Sequence, residues 1–141
     1  MKSILSLVTV LLLVSCNSNE PKPIKLNSDT CDFCKMTIAN GKFGAELITQ
    51  KGRCYKFDDV SCMIQFSKSS VVPTQFYFVS DYLKENNLIP AESSFFVKGG
   101  SINSPMRGNC AAFSSEIIQK EYQQLLQAEP MTWGQVFNSY Q

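Results

Sequence analysis

An apolar run close to the amino terminus sets the compartment in which this chain folds, and with it the chemistry open to its cysteines. One charge, Lys2, precedes a nearly unbroken apolar stretch from Ile4 to Val14, which Ser15 and Cys16 follow. The stretch is too short to span a bilayer comfortably, and small residues follow it, so the pattern predicts an export signal. Thiols outside the cytoplasm tend to be oxidised unless a protein protects or uses them.

The end of this run matches the lipobox of bacterial lipoproteins, in which a lipid-carrying cysteine follows the cleavage site. We expect residues 1–15 to be the signal peptide and Cys16 to be the lipidated amino terminus. The polar residues 16–30 contain Pro21 and Pro23 and are expected to form a flexible tether. The folded domain would then span residues 31–141, held by its lipid to a bacterial membrane and facing the periplasm.

The charge balance argues against a nucleic-acid partner. The chain has 13 basic and 12 acidic residues, and removal of residues 1–15 takes away one lysine, which leaves 12 of each. Nucleic-acid affinity rests largely on clustered lysine and arginine, and only two arginines are present, Arg53 and Arg107.

Cysteine and histidine counts narrow the chemistry further. Six cysteines less Cys16 leave five, an odd number that intrachain disulfides alone do not use up. The chain has no histidine, so Ser-His and Cys-His catalysis and His-ligated zinc hydrolysis are excluded. No pair of residues indicates acid–base catalysis, and we expect a binding protein rather than an enzyme.

Hydrophobic patterning in the first half of the domain predicts the order strand, strand, helix, strand. Alternation over Lys42 to Thr49, a turn, and alternation over Arg53 to Phe57 indicate a β-hairpin. Asp58 or Asp59 can cap a helix with apolar residues at helical spacing. A strand over residues 75–80 follows.

The second half predicts the same order more loosely. Ser93 to Lys98 and Cys110 to Phe113 indicate strands, and Ser114 can cap a helix that Pro130 would stop. Met131 to Phe137 is predicted to be a closing strand.

These patterns predict an α+β fold in which two pseudo-repeated ββαβ units, about residues 31–82 and 90–141, form one compact domain. Ten phenylalanines, five tyrosines and one tryptophan are enough to build its core.

The densest group of metal-binding side chains is the CxxCxM motif formed by Cys31, Cys34 and Met36. Two thiols and a thioether form a soft ligand set, which favours Cu(I) over harder ions. The alternative from composition alone is a short disulfide hairpin with Met36 in the core.

The order of motifs along the chain resembles the NosL family of nitrous-oxide reductase accessory proteins, which are copper-binding lipoproteins of the cell envelope. The resemblance spans about residues 31–137. It rests on the CxxCxM motif after a lipoprotein tether, a strand ending in Phe57-Asp58, the strand Tyr77–Asp81, and Pro-Met-x-Gly at residues 105–108 before Ala112-Phe113.

The resemblance implies a Cu(I) chaperone that delivers copper, with other envelope assembly proteins, to the multi-copper reductase of denitrification. The second cysteine and the methionine of the family motif fall on Cys34 and Met36, and the late family methionine falls on Met106. We therefore expect Cys34 as the anionic anchor, with Met36 and Met106 as neutral ligands. At the position of Lys35 the family commonly has glycine.

The roles of the other cysteines stay open at this stage. Cys31 is a possible fourth ligand, a disulfide partner of Cys34 or a redox guard for it. Cys54 and Cys62 are open to pairing, burial as thiols or ligation, and Cys110 is either a buried thiol or a further ligand.

Two other functions compete with the copper hypothesis. A thiol-disulfide oxidoreductase would use the CxxC pair, although such enzymes place it at the start of a helix. A structural zinc or disulfide lipoprotein would use Cys31, Cys34, Cys54 and Cys62, although the last two are widely spaced for a zinc knuckle.

Overall fold

The computed structural model describes residues 19–141, whose strands form two antiparallel sheets. The expected signal peptide and Cys16 lie outside the described residues. Within residues 19–141, every helix is too short and too polar to cross a bilayer. In chain order the elements are β1 (Ala45–Thr49), β2 (Cys54–Phe57), α1 (Val60–Ser69), β3 (Thr74–Ser80), β4 (Leu88–Pro90), β5 (Phe95–Lys98), β6 (Cys110–Phe113), α2 (Glu116–Leu125), β7 (Glu129–Met131) and α3 (Trp133–Ser139).

The predicted α+β class is confirmed, and the predicted order of elements occurs in both halves. The first sheet has the strand order β2-β1-β3-β4 and the second has β6-β5-β7. In each sheet the first strand of the unit lies between its hairpin partner and the strand that follows the helix. This arrangement is compatible with two pseudo-repeated ββαβ units.

The hairpin and the first helix form as the patterning predicts. Tyr55 and Phe57 share a face of β2 and contact Phe66 of α1, with ring centroids 4.8 and 5.2 Å apart. Of the two candidate caps, Asp59 is the N-cap, and its carboxylate accepts a hydrogen bond from the amide of Ser61. The buried contact between β2 and α1 fixes the segment that joins them.

The predicted closing strand over Met131 to Phe137 is wrong. The strand is β7, three residues that include Pro130 at the edge of the second sheet, where an absent N–H is tolerated. The residues after it form α3, which begins with a capping box between Thr132 and Gln135. The capping signal outweighs the apparent alternation of apolar residues. The short edge strand β4 was not predicted.

Packing of the chain begins earlier than the expected domain start at Cys31. Ile24 is 2% exposed and belongs to the main core. The amide of Lys22 donates to Glu46 Oε1 at 2.7 Å, and Asn86 Nδ2 donates to the Ile24 carbonyl at 2.8 Å. These contacts tie the second half of the expected tether to the first sheet.

Glu46 is a buried carboxyl on β1 beneath this segment. Its side chain is fully buried, and Oε2 has no hydrogen-bond partner. Burial raises the pKa of Glu46 above its ordinary value, because the charged form loses its hydration. The folded state therefore loses stability as the pH rises from the ordinary glutamate pKa through the raised one.

Replacing Glu46 by glutamine is expected to stabilise the protein at alkaline pH. We expect Glu46→Gln to raise the Tm at about pH 8 by about 4 °C. The substitution removes a buried charge, whose burial costs roughly 1 kcal/mol of folding free energy. Near pH 3.5 the difference from the parent should shrink, because the carboxyl is then neutral in both states. Thermal unfolding across this range tests the prediction, with the exposed Glu121→Gln as control. A Tm difference that does not vary with pH would contradict it.

Candidate metal centre

The loop that carries the CxxCxM motif is held to the sheet through its backbone. The amide of Cys31 donates to the Met36 carbonyl at 2.8 Å, which closes the loop, and Lys35 N donates to the Cys31 carbonyl at 3.0 Å. Asp32 and Lys56 of β2 exchange two hydrogen bonds, each 2.8 Å long. The motif therefore forms a turn against β2. The oxidoreductase alternative requires the motif to begin a helix, and it does not.

Four potential metal ligands meet at this loop. The Sγ atoms of Cys31, Cys34 and Cys62 and a carboxylate oxygen of Asp58 all lie within 4.8 Å of one another. Cys62 comes from the first turn of α1, and Asp58 lies between β2 and α1. Cys31, Asp58 and Cys62 are buried, whereas Cys34 is half-buried. Solvent therefore reaches this group from the side of Cys34.

Hydrogen bonding gives the three thiols different acidities. The Cys34 thiol donates to both carboxylate oxygens of Asp58, at 3.4 and 3.5 Å. A hydrogen bond from Cys62 lowers the pKa of Cys31 to about 6, and the same bond raises the pKa of Cys62 above its ordinary value. Loss of hydration raises the pKa of Cys34 to about 11. In the metal-free group, Cys31 is thus the most acidic of the three thiols.

The two expected methionine ligands are exposed. Met36 is 59% and Met106 41% exposed, which is high for methionine. The amide of Met106 donates to Asp59 Oδ2 at 3.0 Å, and Asp59 directly follows Asp58 of the thiol group. The loop of Met106 therefore lies beside the start of α1, where Asp58 and Cys62 also lie.

This second loop is closely packed against Asp59. Ser104 Oγ donates to Asp59 Oδ2 at 2.6 Å and accepts from the Asn109 amide at 2.8 Å. Tyr140 Oη donates to the Gly108 carbonyl at 2.7 Å. A Cβ on Gly108 would lie 2.4 Å from Asp59 Oδ1, so this position has no room for a side chain. The backbone on either side of Met106 is therefore fixed.

The remaining two cysteines lie away from the thiol group. Burial raises the pKa of Cys110 to about 12, and the titratable groups that interact with it are Asp59, Lys98 and Tyr140. Burial also raises the pKa of Cys54 to about 12, beside Glu46. The four-cysteine zinc site considered from the sequence is not formed, since Cys54 does not join the other three within the described residues.

Asp58 is the member of the group that sequence reasoning missed as a potential ligand. The sequence offers it only as a helix cap or as part of the Phe-Asp motif. Its position between a strand and a helix start was the available signal, because such junctions place side chains at the end of a sheet.

Comparisons with known proteins decide the family. The NosL family model matches residues 23–137. The chain belongs to the NosL family. Its fold is similar to the crystal structure of the copper chaperone NosL from Shewanella denitrificans, with a TM-score of 0.70 and 19% sequence identity over 82% of this chain and 93% of that chain. The search of curated proteins found no match.

This chain thus presents a donor set suited to a soft metal ion. Three sulfur atoms and one carboxylate oxygen fit the ligand preferences of Cu(I) and Zn²⁺ far better than those of Mg²⁺ or Ca²⁺. The two exposed methionines on adjoining loops are thioether donors that Zn²⁺ rarely uses.

The residue between Cys34 and Met36 offers a test of the loop's conformation. Lys35 has a φ of 66°, in the left-handed region that favours glycine. We expect Lys35→Gly to be about 1 kcal/mol more stable than Lys35→Ala, because only glycine relieves the strain. Both variants lose the side-chain bond to the Asp32 carbonyl, so urea unfolding of the pair isolates the backbone effect. Equal stabilities would contradict the left-handed conformation.

Gly108 offers a test of the second loop. We expect Gly108→Ala to lower the free energy of unfolding by about 2 kcal/mol, because its Cβ overlaps Asp59 Oδ1 and Ser61. Gly134→Ala is the matched control, since its Cβ enters open space on α3 and should be neutral or stabilising. Chemical denaturation measures both, and similar values for the two variants would show that the loop does not pack as described.

Proposed function

We propose that this protein binds Cu(I) and passes it to a copper enzyme of the nitrous-oxide reductase type. The observation that carries the proposal is the pairing of a half-buried thiol, Cys34, with exposed thioethers on the adjoining Met36 and Met106 loops. Neither methionine belongs to a hydrophobic core cluster, and a thioether binds Cu(I) without deprotonation.

Cys34 is the proposed anionic anchor, with Met36 and Met106 as neutral ligands. A bound cation displaces the proton that Cys34 now donates to Asp58, so binding converts this hydrogen bond into a thiolate facing a carboxylate. The carboxylate of Asp58 then lies next to the cation and adds electrostatic stabilisation. One thiolate and two thioethers leave Cu(I) open to an incoming ligand, which suits a carrier that releases its cargo.

The proposed location is the cell envelope. The expected lipid on Cys16 would hold the domain to a bacterial membrane on the periplasmic side. The receiving reductase and its envelope assembly proteins are the proposed partners. The domain acts as a carrier and has no reaction of its own in this proposal.

A structural zinc site is the second candidate function, because Asp58 supplies the fourth donor that Cys54 does not. Three cysteines and one carboxylate form an accepted zinc ligand set. This alternative makes Cys31 and Cys62 ligands and leaves the two exposed methionines without a role. The two functions therefore differ in which substitutions abolish metal binding.

Anaerobic Cu(I) titration against a coloured chelator tests the copper proposal, using the full chain purified in detergent. We expect one tightly held Cu(I) per chain, lost in Cys34→Ser and weakened by about tenfold or more in each of Met36→Leu and Met106→Leu. Leucine keeps the volume of methionine and removes the sulfur.

Cys54→Ser and Met131→Leu are the matched controls, since both residues lie outside the proposed ligand set. They should bind copper as the parent does. Copper binding that survives the loss of Cys34 contradicts the proposal. Bound Zn²⁺ that copper does not displace, with an affinity that the methionine substitutions leave unchanged, also contradicts it.

A further inference from the structure

Two of the three clustered thiols have a different environment from the third. Cys31 is 0% and Cys62 1% exposed, and both belong to the main hydrophobic core. Cys34 packs only against the edge of that core, and its thiol is engaged by both carboxylate oxygens of Asp58. The Cys31 and Cys62 sulfurs lie within 4.8 Å of each other. The structure thus divides the three thiols into an inner pair and an outer single thiol.

We propose that Cys31 and Cys62 form a disulfide bond in the exported protein, and that Cys34 stays reduced as the copper anchor. The two inner thiols form the Cys31–Cys62 bond by exchange with an external disulfide before folding buries them, because exchange requires access to the attacking thiolate. They give up two electrons and two protons, and the external disulfide leaves as two thiols.

This pairing fits the structure better than the alternatives within the group. A Cys31–Cys34 bond would remove the thiol hydrogen that Cys34 donates to Asp58 and leave that buried carboxylate without this donor. A Cys34–Cys62 bond would have the same cost and would draw the half-buried sulfur into the core. The Cys31–Cys62 bond joins two sulfurs that already lie within 4.8 Å of each other in the core, and it leaves the Cys34–Asp58 hydrogen bond intact.

The bond would also stabilise a loop that otherwise depends on backbone hydrogen bonds. It joins the motif loop to α1 across about 30 residues, and closing a loop of that length restricts the unfolded chain substantially. The turn that holds Cys34 and Met36 would then be covalently fixed to the helix that Asp59 caps.

The consequence for the metal centre rests on the proposed function. With the inner pair oxidised, the thiol group keeps one sulfur able to ionise, so three-thiolate zinc binding is lost whereas binding by Cys34, Met36 and Met106 remains. The oxidising conditions expected for an exported protein would thus select the copper ligand set.

The test is disulfide mapping of the full chain, exported, purified in detergent without reductant and alkylated before digestion. Cleavage before aspartate places Cys31 on residues 29–31, Cys34 on residues 32–57 and Cys62 on residues 59–80. We expect residues 29–31 linked to residues 59–80, with Cys34, Cys54 and Cys110 alkylated. Alkylation of all five cysteines, or a link to residues 32–57, would overturn the proposal.

Substitution gives a second, independent readout. We expect Cys31→Ala with Cys62→Ala to lower the Tm of the non-reduced protein by about 10 °C, and a reductant to lower the parent's Tm similarly. An unchanged Tm in this variant contradicts the bond, and the mapping decides the matter if the variant fails to fold. Since mapping uses no copper, a failed copper titration leaves its result intact.

Discussion

Two consecutive carboxylates at the start of α1 hold the parts of the metal centre together. Asp58 is 3% and Asp59 1% exposed, so both are withdrawn from water and depend on protein donors. Asp58 accepts from the Cys34 thiol, and Asp59 accepts from Ser104 and from the Met106 amide. The Cys34 loop and the Met106 loop, about 70 residues apart in the sequence, are therefore held by two consecutive residues.

The position of these carboxylates depends in turn on the packing of β2 against α1. Phe57, which precedes Asp58, is fully buried and contacts Phe66 in the second turn of α1. The N-cap bond of Asp59 sets where the helix begins. The strand and the helix form a rigid support, while both methionines stand on loops at the surface. Lys35 and Arg107, each next to one of these methionines, have left-handed backbone conformations, and the amide of each donates a hydrogen bond within its own loop.

The elements that the sequence predicts well are those with a local cause. Alternation around Cys54 to Phe57, the aspartate cap and the helical spacing that follows depend on near neighbours, and the ββαβ order of both halves follows from them. The α3 helix was missed because the sequence reading followed the apolar alternation over Met131 to Phe137. The capping box at Thr132, which begins the helix, was not recognised. The burial of Ile24 was missed because a single apolar residue among polar ones gives no hydrophobic pattern in the sequence.

The candidate site was predictable only in part for the same reason. Cys34 stands out through its motif, and Met106 stands out through the family resemblance. No local pattern shows that Asp58 and Cys62 approach Cys31, since these residues lie 27 and 31 positions after it and meet it only after β2 and α1 pack. The separation of Cys54 from this group follows from strand alternation, which turns its side chain away from Tyr55 and Phe57.

The most direct test of this account is a double-mutant cycle on Cu(I) affinity with Asp59→Asn and Met106→Leu. Asparagine keeps the N-cap oxygen but places an amide nitrogen where the Met106 N–H now donates, so it should release the loop. If Asp59 acts by holding Met106 in the centre, Met106→Leu should weaken copper binding by about tenfold in the parent and far less in Asp59→Asn. Additive losses in a folded double variant would contradict the account, because the two residues would then act independently.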